Sequence, residues 1–94
     1  MAHCDVAVLV PADAAEPKKV ADMILKPWFG RLWDFRRFIE PPPHPPFMIF
    51  VGAKAYSQDD LDQELHGALP LSVEEAARML SDPSTRAVFA NIHC

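Results

Sequence analysis

Asp5-Val6-Ala7-Val8-Leu9-Val10 is an almost unbroken apolar run, rich in β-branched residues and stopped by Pro11. Side chains branched at Cβ suit a pleated strand, and a run with no polar alternation has no side to give to water. The segment predicts a strand covered on both faces. Phe47-Met48-Ile49-Phe50-Val51, closed by Gly52, has the same character and predicts a second such strand. Between them, Ala12 to Lys26 reads as a helix, with Pro17 tolerable only in its first turn and Val20, Met23 and Ile24 forming an apolar stripe. Pro27 ends or kinks it. Parallel strands require a crossover of this kind, so the two runs are expected to pair in parallel.

Outward from that pair, Trp28 to Ile39 is the densest aromatic segment. At about 100° per residue, Trp28, Leu32, Phe35 and Ile39 share one face of a helix. Phe29 and Trp33 fall beside it, and Arg31, Asp34 and Arg37 take the polar side. Pro41-Pro42-Pro43-His44-Pro45-Pro46 admits neither helix nor central strand and reads as a stiff polyproline II connector, about 3.1 Å per residue. Ser57-Gln58-Asp59-Asp60 opens a helix, with Ser57 as N-cap, Tyr56 stapling to Leu61, Leu61 and Leu65 on the buried side, and Gly67 as the stop. Ser72-Val73-Glu74-Glu75 is a capping box whose helix turns Val73, Ala76, Ala77 and Leu80 inward. Asp82-Pro83 starts a last helix bearing Ala87, Val88 and Ile92, with a strand over 87–92 as the alternative. The expectation is one α/β or α+β domain over residues 1–94. It would hold a small sheet of two to three strands (near 5–10 and 47–52, and in the alternative 87–92), packed by helices near 16–26, 28–39, 58–67, 72–80 and 83–91.

Half of the 94 residues are hydrophobic and 23% are charged, a globular balance. No apolar run approaches the roughly 18–20 residues that span a bilayer, and no basic-then-apolar leader precedes residue 5. A soluble, cytoplasmic protein is expected. Two cysteines, Cys4 and Cys94, are too few for a disulfide scaffold, and a reduced pair is expected. Charge is unevenly spread. Residues 18–54 carry seven bases against three acids, and residues 55–94 carry two bases against seven acids. Basic and acidic parts can attract each other within the fold or present a polar binding face.

The sequence offers four candidate chemistries. His3-Cys4 and His93-Cys94 would offer a tetrahedral zinc set if the termini met, although adjacent strand residues point to opposite faces. Catalysis lacks a signature. Cys4 could pair with His3, His44, His66 or His93, but nothing selects one; the carboxylates at 59, 60, 62 and 64 suit a helix N-terminus; and three scattered glycines make no phosphate loop. No cofactor and no enzymatic activity are expected.

Leu71-Ser72-Val73-Glu74-Glu75-Ala76-Ala77-Arg78-Met79-Leu80 resembles the first helix of excisionase-like and MerR-like helix-turn-helix domains, and Pro83-Ser84-Thr85-Arg86 resembles the start of their recognition helix. The resemblance implies DNA binding through residues 71–92. The intervening turn is short, and Arg86 is the one base on the second helix, so nucleic acid is the weaker expectation. Protein recognition is the stronger. Trp28, Phe29, Arg31, Trp33, Arg36 and Arg37 are the residue types that dominate binding hot spots. Phe29 and Trp33 are expected to stay exposed once the main stripe is buried. The expected role is a non-catalytic interaction domain docking on another protein or on itself as a homo-oligomer, with no membrane partner. In size and composition it is similar in kind to accessory proteins of phages and mobile elements, including inhibitors of host defence.

Overall fold

The computed structural model describes residues 3–93. In chain order the elements are β1 (His3–Pro11), α1 (Pro17–Leu25), a single 3-10 turn (Lys26–Trp28), β2 (Phe35–Phe38), β3 (Met48–Val51), β4 (Lys54–Ser57), α2 (Asp60–His66), β5 (Leu69–Pro70), α3 (Val73–Leu80) and β6 (Thr85–His93). They form one six-stranded mixed sheet in the order β2-β6-β1-β3-β4-β5, with three helices, an α+β fold. The expected two- to three-stranded sheet is corrected to six strands.

The central pairing follows from the two apolar runs. β1 and β3 lie parallel, with Val6 opposite Met48 and Val8 opposite Phe50. β6 flanks β1 antiparallel along its whole length, from His3 opposite His93 to Pro11 opposite Thr85. The helix expected over 83–91 is therefore a strand. Its burial alternates, with Val88, Ala90 and Ile92 buried between half-buried neighbours, which is the period of a pleat and not of a helix. Asp82 caps no helix: its Oδ1 accepts from the Ser84 backbone N–H and hydroxyl, tightening the turn into β6.

The helix expected over 28–39 is also absent. Pro27 sits in the 3-10 turn, and Gly30 adopts φ 79°, a left-handed conformation open to glycine at little cost. The chain folds back there, with the Gly30 N–H donating to Trp33 O at 2.8 Å, and leaves as β2 along β6. The proline-rich connector has no regular element. It carries the chain from edge strand β2 past β6 and β1 to β3, roughly three strand spacings of about 4.8 Å.

α3 is capped as the sequence predicts: Ser72 Oγ accepts from the Glu75 N–H, and Glu75 Oε1 accepts from the Ser72 N–H. Only Ala76 of its apolar residues is fully buried, and Val73 faces out. α2 departs further. Asp59, not Ser57, is its N-cap, accepting from the Leu61 N–H at 2.8 Å. Ser57 is fully buried and works from beneath, donating to Asp62 Oδ2 and accepting from the Asp59 N–H. Leu61 and Leu65, expected inside, are exposed, and no residue of α2 is buried.

Alternation along the strands divides the interior. Val6, Val8, Val10, Met48, Phe50, Val88, Ala90 and Ile92 face α1 and the turn after it, packing with Ala21, Leu25, Trp28, Leu32 and Trp33. Ala7, Leu9, Ile49, Val51, Ala87 and Phe89 face the other way, toward Leu71, Ala76, Met79 and Leu80.

Candidate interaction surface

The aromatic-basic segment 28–38 is built around the left-handed turn at Gly30 and the β2 edge, and the turn sorts its rings. Trp28 and Trp33 go inward, at 8% and 9% exposure. The Trp28 ring meets Phe50 edge to face, and Trp33 Nε1–H donates to Leu25 O at 3.0 Å, which satisfies the indole in the core. The exposed position expected for Trp33 is thus corrected, as is the buried position expected for Phe35. Phe29 is 60% exposed and rests edge-on against Trp33, and Phe35 is 52% exposed.

The cations divide in the same way. The Arg36 guanidinium bonds to Asp22 of α1 and stacks on Phe38, 4.4 Å from the ring centre. Arg31 lies over the Trp28 ring at 5.2 Å and Arg37 is exposed. Among the described residues no ion pair holds Lys26, Arg31 or Arg37; Asp22 is bonded to Arg36, and the exposed acids left in this segment are Asp34 and Glu40, so three cations stand against two acids. Because Arg36 points toward α1, Phe35 points to the opposite side of the sheet, and Phe29 joins Asp22, Lys26, Trp33 and Arg36 around a shallow hollow on the α1 side. Two exposed rings therefore flank a sheet edge that pairs with β6 on one side only.

A second polar feature lies at the ends of the central strands. On the face away from α1, β1 and β6 turn polar at one end: His3 and Asp5 continue the row of Ala7 and Leu9, and Asn91 and His93 continue that of Ala87 and Phe89. Asp5 accepts from Asn91 Nδ2 at 2.9 Å and meets His44 Nε2 at 3.0 Å, which ties the proline connector to the sheet. Asn91 Oδ1 meets His3 Nδ1 at 2.9 Å, and the His3 and His93 rings lie 5.0 Å apart. His3, Asp5, His44 and Asn91 border an open cleft of about 770 Å³ between the connector and the α2 and α3 N-termini, with Pro45, Phe47, Gln58 and Val73 opposite. The signal available was the spacing of polar residues at 3 and 5 and at 91 and 93, two apart on adjacent strands.

The termini do meet, since His3 pairs with His93 and Cys4 with Ile92. They do not gather the expected zinc ligands. Cys4 packs with the α1-side core, on the face opposite His3, and Cys94 lies outside the described residues. Among the described residues no group of three or more potential metal ligands converges. The helix-turn-helix is not formed, because Arg86 belongs to a strand inside the sheet. Among the described residues no helix is long and apolar enough to cross a membrane. No family model, curated protein or solved structure matches the chain.

Proposed function

We propose that this chain is a non-catalytic interaction domain that docks a protein surface onto the β2 edge of its sheet. One observation carries the reading: Phe29 and Phe35 stand more than half exposed on either side of an edge strand whose neighbourhood has cations to spare. Aromatic rings, phenylalanine included, and arginine are enriched in protein interfaces, and a ring with two side-chain torsions loses little rotamer entropy on burial. The two tryptophans take a supporting part, holding the turn that presents Phe29.

Phe29→Ser with Phe35→Ser tests it. Chemical cross-linking of the protein, alone and with candidate partners, is expected to lose its products in the double variant, while circular dichroism and a cooperative thermal transition show the fold retained. Cross-linked products undiminished by the two substitutions would remove the β2 edge as the docking surface.

A further inference from the structure

α2 is an unusual helix for its length. Seven residues are too few to hold a helix in water by propensity, and short helices normally persist because an apolar stripe is packed. Leu61 and Leu65 form such a stripe, four residues apart, yet they are 58% and 65% exposed. What holds α2 is polar: the Asp59 cap, the Ser57–Asp62 hydrogen bond, and Gln63 Nε2 donating to Ser57 O at 3.0 Å. Leu69 of edge strand β5 is exposed beside it. Around these leucines Asp59, Asp60 and Glu64 are exposed, and the only base of α2 is His66. The same strand edge cannot extend the sheet well, since Pro70 has no N–H to donate.

The chemistry that would cover this stripe is an apolar surface rimmed with cations. The chain owns such groups along its β2 edge: Phe29 with Lys26 on the α1 side, and Phe35 with Arg37 on the other. This edge and the leucine stripe cannot meet within one molecule. They lie at opposite edges of the sheet, five strand spacings apart, or about 24 Å. We infer that the occupant of the β2 edge is the α2–β5 end of a second copy of this chain, in a head-to-tail contact. This rests on the docking reading of the β2 edge and names its partner. Because the two surfaces lie at opposite edges of the sheet, the contact cannot be made twice between the same two copies, so assembly continues into a ring or an open chain. The contact is confined to one end of a small molecule, so it is weak and concentration-dependent, and its charged part is screened by salt.

The experiment is sedimentation or light scattering of the full chain at low salt, from about 10 μM to about 1 mM, the range in which weak contacts populate. The wild type is expected to grow beyond dimer with concentration and to shrink as salt rises. Phe29→Ser/Phe35→Ser and Leu61→Ser/Leu65→Ser each keep one end intact, so each alone is expected to remain monomeric. An equimolar mixture of the two is expected to give a one-to-one heterodimer that grows no further. A wild type that stays monomeric throughout overturns the inference, as does an assembling wild type whose two variants do not pair. If the leucine variant still associates while the phenylalanine variant does not, the β2 edge stands as a docking surface and the acidic end is wrong. If the phenylalanine variant associates undiminished, the docking reading itself fails.

Discussion

The two faces of the sheet are covered by different means. Toward α1, the strands present valines, Ile92, Met48 and Phe50, met by Leu25, Leu32 and both tryptophans. Nearly all of these are enclosed, and the indole N–H of Trp33 is satisfied by a backbone carbonyl. Toward α3, Leu9 and Ile49 are enclosed, but their strand neighbours Val51, Ala87 and Phe89 are only half covered, and α3 buries little more than Ala76. That face then runs into the histidine, aspartate and asparagine row at the strand ends. The lesson is that the first face carries most of the stability through apolar area and close packing, whereas the second is joined by hydrogen bonds and caps whose net worth is small per bond.

The contrast can be broken or sharpened by substitution. Phe50→Ala, in the enclosed face, is expected to cost about 3–5 kcal/mol, read by chemical denaturation, and Trp33→Ala a similar amount, since it removes a buried ring together with its hydrogen bond to Leu25 O. Leu71→Ala, on the thinner face, is expected at the low end of its class, about 2–3 kcal/mol, because half-exposed neighbours can close the gap. Equal losses on the two faces would erase the distinction.

Ser72→Ala removes the α3 cap and is expected to cost about 1 kcal/mol at neutral pH. Hydrogen bonds from Ser72, with Arg78 nearby, hold the Glu75 carboxyl below its ordinary value of 4.5. A depressed carboxyl favours the fold above its unfolded pKa and loses that contribution as pH falls through the folded value. The gap between wild type and Ser72→Ala should therefore narrow below about pH 4.5, and a gap constant with pH would contradict the capping box. Phe29→Ser with Phe35→Ser, which removes from the core only the edge contact of Phe29 on Trp33, is expected to cost about 0.5–1 kcal/mol.

Local chemistry was legible wherever it was sufficient. The two apolar runs, the first helix behind Pro17, and the Ser72–Glu75 box all lie where residue type predicts them. The candidate surface was half legible. The segment was identified, but which rings it exposes depends on the reversal at Gly30, and a helical reading assigned Trp33 and Phe35 the wrong way round. Leu61 and Leu65 follow a helical period, so they marked α2 correctly while saying nothing of whether a partner element lies beneath them.

Sequence alone determined the strands and caps whose preference is encoded within a few residues: β-branching, a proline's missing N–H, a serine three residues before a glutamate. Tertiary structure decided the fate of segments compatible with two periods. Thr85–His93 and Phe35–Phe38 became strands because β1 offered an open ladder edge to the first and the first offered one to the second. Backbone hydrogen bonds to a neighbouring strand are not a property of the segment that makes them, and that is why the sheet grew to six strands.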